Sequence, residues 1–388
     1  MSKSLNRIFF FFFLILLLVV FYKTAAFWMS RMTYDEDAST RILNASIEVL
    51  CVLILGLIFV NNRIYLRGIH AVCLLWLLFM SIALALNNTP VRTTYFKCLF
   101  WPLLFEATYI FVKDNTNRTI QIVRLYYLIG GLGLYLFLNS MIFNFFGHQS
   151  NMVYFFVLTA PILLLKENRA WKIFVLVLVS IMAMVSMKRS MMLAIALFWF
   201  IYFVGNGLRD QKHWLRTVFL AIIVAVGVFF AFGYLDKLSG GFFSERFQME
   251  DMSNGRNDIY ESTWEMQKQS TTVQWLFGHG HNAVRDNSVR EISAHNEWME
   301  ILYDYGSLVL LLYLGLWICL IKRWLFHYKT MSRYLTAYTL SLSIFAVMSL
   351  VSQLVLYVSY FLYLVMFWAI VEALTDDDDQ NEEDLSDI

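Results

Sequence analysis

The chain returns again and again to stretches of about 20 apolar residues, the length a helix needs to cross a hydrocarbon layer about 30 Å thick. Inside lipid only helices and closed barrels satisfy their own backbone hydrogen bonds, so this recurrence constrains the fold more than any local propensity. Spans are predicted near 8–28, 42–60, 69–87, 94–112, 125–146, 151–165, 171–187, 191–208, 214–235, 306–321, 334–351 and 354–373. The expected fold class is an all-α polytopic membrane protein with about twelve transmembrane helices and one large extracytoplasmic loop that contains short helices. Composition agrees, because 59% of the residues are hydrophobic and 15% charged, against about 25% charged in a soluble chain.

Several classes of function are excluded or disfavoured at this level. A net charge of +1 without a concentrated basic run argues against a nucleic-acid partner. Cys51, Cys73, Cys98 and Cys319 all lie in apolar stretches, where a buried free thiol is the ordinary outcome, so no disulfide framework is expected. Pro102 and Pro161 fall inside predicted spans, which neighbouring helices can support. Lys3 and Arg7 ahead of the first apolar run, with Thr24-Ala25-Ala26 behind it, have a signal-peptide look, but a chain that threads many further spans needs a first anchor, and this segment is expected to be retained as one.

Orientation follows from the short connections, since Lys and Arg are retained in the cytoplasm. An N-terminus inside puts Arg63, Arg67, Lys113, Arg118, Lys166, Arg169, Lys172, Arg209, Lys322, Arg323, Lys329 and Arg333 on the cytoplasmic side, and leaves few cations opposite. The expected organisation is nine spans over residues 1–235, an extracytoplasmic loop over 236–305, three further spans over 306–373, and an acidic, solvated cytoplasmic tail over 374–388. Residues 236–297 then lie outside the cytoplasm and both termini inside.

A loop of that length with helix signals of its own is where a site can be built in water. Its first readable piece runs from about Asn254 to Gln269, with Ser253 or Asn254 as cap and Asp258 and Glu261 in the opening turn. Its second, Trp275 to Asn282, is punctuated by Gly278 and Gly280 and reads as a tight turn. The third starts near Ser293 and carries Trp298, Met299, Leu302 and Tyr305 as a stripe expected to lie on the bilayer surface, with His295 in its first turn. There the helix end disfavours imidazolium, which suits a general base, although a histidine bridging helix and headgroups fits the same residues. Glu297 and Glu300 pull the other way. His279 and His281 form a His-x-His pair, but no suitably spaced third ligand follows except His295, so no metal and no cofactor is expected. Glu48 and Glu106 lie within spans as ion-pair or functional candidates, with Lys97 as one partner for pairing.

His295-Asn296, followed by Gly306 at the head of an apolar span, resembles the signature of the O-antigen ligase and polysaccharide polymerase superfamily, with Val309 where a second glycine usually stands. Trp275 to Gly280, Gly255-Arg256 with Trp264, and Ser186-Met187-Lys188-Arg189-Ser190 in a short outer turn are similar to the same family, and the resemblance covers roughly residues 180–320. It implies a metal-independent, inverting glycosyltransferase of the bacterial cytoplasmic (inner) membrane that uses a polyprenyl diphosphate-linked oligosaccharide as donor and a glycan or lipid as acceptor.

On that resemblance His295 is the catalytic base, Arg189 and Arg256 grip the diphosphate, and Lys188, Trp264 and Asn296 complete the substrate-binding set. Read alone, Arg189 is also compatible with snorkelling, Arg256 with solvated surface, and Trp264 and Trp298 with an interfacial belt; Arg92 and Lys97 share the outer face. A polymerase, which would also have a chain-length regulator as partner, is favoured over a ligase acting on lipid A core or protein. A non-enzymatic glycan flippase is the reading from another class.

Overall fold

The computed structural model describes residues 66–88, 93–113, 117–144, 153–186, 188–209, 214–238, 256–288 and 291–386, together with Phe10, Leu14, Leu17, Leu18, Phe21, Val49, Gly240, Gly241 and Ser244. Apart from those single residues, the first two predicted spans lie outside the residues whose placement is described, as do Glu48, Arg92 and Gly255. All regular structure among the described residues is helical. In chain order it comprises α1 (Gly68–Leu86), α2 (Thr93–Lys113), α3 (Asn117–Asn144), α4 (Val153–Leu163), α5 (Arg169–Val185), α6 (Arg189–Arg209) and α7 (Trp214–Leu238). Three short helices, α8 (Arg256–Lys268), α9 (Thr272–Phe277) and α10 (Ala283–Asn287), precede α11 (Glu297–Thr330), α12 (Leu335–Val351) and α13 (Val358–Ser386).

Four segments are long and apolar enough to cross a membrane: Gly68–Leu86, Tyr95–Lys113, Asn117–Asn139 and Glu297–Thr330. Val153–Leu163, Arg189–Gly205 and Leu335–Val351 are shorter apolar helices. The protein is a helical membrane protein. Large apolar side chains such as Leu128, Phe200, Phe219 and Leu311 stand exposed on the helix surfaces, as expected where lipid rather than water is the neighbour.

At the centre is α13, which packs on α2 and α4. Every residue from Phe361 to Val371 is buried, the pattern of a helix enclosed on all sides rather than one presenting a single face. Because lipid tails are as apolar as leucine, such a helix is held by close packing and by polar contacts across helices. Trp368 Nε1 donates to Ser341 Oγ on α12 at 3.0 Å, and Phe361 meets Trp101 edge to face. The expected tail boundary at residue 374 falls inside this helix. Asp376 is buried, accepts from Tyr109 Oη at 2.7 Å and pairs with Arg67 at 2.6 Å, so the acidic run begins as a helix-packing element.

Two other boundaries move. α3 starts at Asn117 instead of 125, taking Arg118 and Arg124 into the helix. The loop's last helix and the tenth predicted span are one element, α11, interrupted by a kink at Gly306 (φ 85°, ψ 175°). Trp275 to Phe277 belong to α9, begun by a reciprocal cap between Thr271 and Gln274, and only from Gly278 does the expected tight turn appear.

That turn crosses the kink of α11 backbone against backbone. A Cβ on Gly278 would stand 2.2 Å from the Asp304 carbonyl oxygen, and one on Gly306 2.3 Å from that of Leu276; both glycines also hold positive φ. The amides of His279 and Gly280 donate to the carbonyls of Tyr303 and Asp304 at 3.0 and 2.9 Å. Gly306→Ala and Gly278→Ala are each expected to destabilise the loop by more than about 2 kcal/mol. Thermal melting in detergent, with limited proteolysis of residues 256–296, checks this; wild-type melting and protease resistance in both variants would refute the crossing.

Candidate functional site

α5 and α6 are joined by a turn too short to wander. Ser186 is buried, donates to the Ala183 carbonyl at 2.8 Å and accepts from the Lys188 amide at 3.3 Å. This fixes Lys188 and Arg189, both half-buried, at the end of the bundle where α6 begins. Tyr154, near the start of α4, shares a 3.0 Å hydrogen bond with Ser190 and so ties α4 to the first turn of α6.

Arg256 opens α8 and is half-buried. Its positive charge acts on Tyr154 and on His295. Arg256 therefore lies within electrostatic reach of the tyrosine that bonds Ser190, next to Arg189, and of the histidine ahead of α11. The C-terminal end of α12 keeps these loop pieces together, since the Leu350 carbonyl accepts from Tyr260 Oη at 3.4 Å and from Asn296 Nδ2 at 3.3 Å.

His295 is not in the first turn of a helix. α11 begins at Glu297, with Asn296 as its cap accepting from the Met299 amide at 3.2 Å, and His295 precedes it in left-handed backbone (φ 50°) with an exposed side chain. Partial loss of hydration, then the charge of Arg256, holds its pKa below the usual histidine value. Neither neighbouring glutamate counteracts this by pairing with the ring, for both are directed inward. Glu297 is buried and accepts from the Leu354 amide at 2.8 Å, from the Val355 amide, and from Tyr313 Oη at 2.8 Å. Glu300 accepts from the Ala294 amide at 2.7 Å, and Asp304 from the amides of Asn282 and Val284, each at 2.9 Å. The helix thus uses an acidic face to pin loops, and Tyr305 is buried instead of lying on a bilayer surface.

Of the remaining candidates, Asn296 spends both ends of its amide on these contacts. Trp264 is exposed on α8, edge-on to Trp275 with ring centres 6.2 Å apart; it follows Arg256 by two helical turns, about 12 Å along the axis. His279 and His281 turn to different partners. His279 Nε2 meets Ser270 Oγ at 2.7 Å and stacks on Tyr303, while His281 Nδ1 meets Tyr305 Oη at 2.5 Å near Cys98. Burial, with the charges of Lys97 and Arg285, pushes the His281 pKa down to about 4. Glu106 pairs with His70 at 2.9 Å, both buried, rather than with Lys97. Sequence reasoning passed over Tyr154 and Ser190: a tyrosine at a span entrance looks like any interfacial aromatic, and only adjacency to Arg189 marked Ser190.

Residues 174–314 match the family model described as O-antigen ligase. That segment is similar to the O-antigen ligase and polymerase superfamily. The matched segment holds most of α5, the α5–α6 turn, the loop helices, the Gly278–Gly306 crossing and His295, and the match supports a glycan-processing function of the O-antigen ligase and polymerase type at a membrane. No curated protein matches the chain.

Since a positive neighbour disfavours imidazolium, Arg256→Gln is expected to raise the His295 pKa and move its titration to higher pH. Nitrogen NMR of histidine-labelled protein, with His295→Gln to assign the signal, checks the direction. An unmoved titration would separate the two side chains.

Proposed function

We propose that the protein transfers a polyprenyl diphosphate-linked glycan at the outer face of a bacterial cytoplasmic membrane, as a polymerase of surface polysaccharide repeats. The observation that carries this reading is the convergence at Arg256: its charge reaches His295 on one side and, through Tyr154 and Ser190, the segment of Arg189 on the other. Two guanidinium groups near one neutral imidazole suit displacement of a diphosphate by a hydroxyl.

In the proposed step the acceptor oxygen attacks the anomeric carbon while His295 takes its proton. The bond from that carbon to the diphosphate oxygen breaks, its electron pair stays on the diphosphate, and Arg189 and Arg256 stabilise the charge through planar, charge-assisted hydrogen bonds. A single displacement inverts the anomeric centre. Trp264 offers a ring face for stacking on a sugar, and Lys188 adds positive charge beside Arg189. No metal enters this scheme.

The topology of about twelve spans, with the loop extracytoplasmic and both termini cytoplasmic, is part of the same reading. Support comes from the end of the bundle opposite the loop, which gathers Arg67, Lys172, Arg323 and Arg333, as retention of cations in the cytoplasm requires. The family description favours one second reading, a ligase that moves a finished glycan to a lipid A core or protein. It shares the donor chemistry and differs in the acceptor.

Arg189→Ala, Arg256→Ala and His295→Ala are each expected to reduce transfer at least about a hundredfold while leaving the protein inserted. Arg256→Lys should recover little, because an ammonium lacks the bidentate fork. The assay is acceptor-dependent release of polyprenyl diphosphate in vesicles. Product that grows by repeat units supports the polymerase, and a single transfer to lipid A core supports the ligase. Glycan translocation without release would make the protein a transporter, and full activity of the His295 variant would remove that residue from the base role.

A further inference from the structure

At the end of the bundle away from the loop, a pocket of roughly 270 Å³ opens between α6, the end of α11 and the start of α12. Its walls are of two kinds. Tyr202, Trp324 and Tyr328 supply aromatic surface, and Lys172 and Arg333 supply positive charge, with Thr336 beside them. The aromatic wall is fixed: Trp324 and Tyr328 stack with ring centres 5.7 Å apart, Trp324 Nε1 donates to Thr339 Oγ1 at 2.9 Å, and Tyr328 Oη donates to the Gly205 carbonyl at 3.2 Å. Gly205 lines the pocket close against this wall, since a Cβ there would meet the Tyr328 ring at 3.3 Å.

The charged rim is fixed as well. Lys172 Nζ donates to the Arg333 carbonyl at 3.2 Å, and Arg333 pairs with Glu167 at 2.6 Å. Two cations are thereby held together with one carboxylate, and that carboxylate is an exposed partner whose pairing is readily exchanged. Among the described residues, the two cations thus share one paired carboxylate, beside an aromatic-walled pocket where the apolar helices end. Aromatic rings and Lys or Arg at that level are what meets lipid headgroups.

We propose that this pocket binds an anionic phospholipid, with the phosphate between Lys172 and Arg333 and the acyl chains leaving along Tyr202 and the apolar face of α6. Phosphate is the shared chemistry; the lipid is the source favoured here, because an aromatic wall below two cations matches an amphiphile and gives a free anion nothing to cover. The site is remote from Arg256 and His295 and is independent of the reaction assigned to the loop.

The test uses the full-length protein in nanodiscs or detergent. Native mass spectrometry is expected to show phosphatidylglycerol retained and phosphatidylcholine not, with retention lowered at least tenfold by Lys172→Gln with Arg333→Gln. Glu167→Gln removes the competing carboxylate and should raise retention, a change that damage to the fold would not produce. Equal retention of both lipids, or retention unaltered in the double variant and in Glu167→Gln, would overturn the proposal. Thermal stabilisation by inorganic phosphate as large as that by phosphatidylglycerol would assign the pocket to a free anion and overturn the lipid assignment.

Discussion

Two glycines stand where the chain crosses itself, and the loop's geometry depends on their having no side chains. Positive φ at Gly306 breaks α11, which removes the intrahelical partners of the carbonyls just before the break. Those of Tyr303 and Asp304 are taken up by the amides of His279 and Gly280. The kink and the turn therefore complete each other's backbone bonding, and at contact distances of 2.2 to 2.5 Å from each hypothetical Cβ there is room for neither to change alone.

A second layer of constraint comes from Glu297, Glu300 and Asp304, spaced so that all three lie on one side of the helix before the kink. Each carboxylate is buried and receives backbone amides from a different strand of chain: 354–355, 294, and 282 with 284. Hydrogen bonds to charged groups contribute about 1.5–3 kcal/mol apiece, and losing the acceptor leaves buried amides unmatched. His295 sits between Ala294, held by Glu300, and Asn296, held by its cap and by Leu350. Left-handed backbone at a non-glycine residue costs about 1–2 kcal/mol, and these flanking bonds supply the compensation. The ring is thus aimed by its neighbours rather than by a helix of its own.

Apolar run lengths made the helical membrane class legible, and His295, Gly306, Arg256 and the 186–190 turn carried the family resemblance that residues 174–314 bear out. The extent of α11 was not legible, because a hydropathy reading separates a mixed polar segment from the apolar span that continues it. Nor was the inward direction of the acids: Glu297 and Glu300 entered the sequence reading only through their pull on His295 and Asp304 not at all, because their partners are largely backbone amides, which carry no sequence signal. Asp376 misled in the same way, since a run of four aspartates looks like a tail until Arg67 and Tyr109 are seen beside the first of them.

The two ends of the bundle treat their cations differently, and the difference bears on function. Away from the loop, Arg67 pairs with Asp376, Arg323 with Glu372 and Arg333 with Glu167, so the guanidinium groups there are wholly or partly neutralised by the fold itself. At the loop, no carboxylate among the described residues forms an ion pair with Arg256; its charge falls instead on an imidazole and a phenol. Nearby acids were available to the chain, yet Glu297, Glu300 and Asp304 are all committed to backbone amides. A half-buried guanidinium beside a histidine held below its usual pKa leaves a positive potential that an anion would relieve. For the diphosphate transfer proposed above, a carboxylate placed there would stabilise the free protein and weaken the proposed hold on the donor, so a site of that chemistry is better served by leaving the pairing to its substrate.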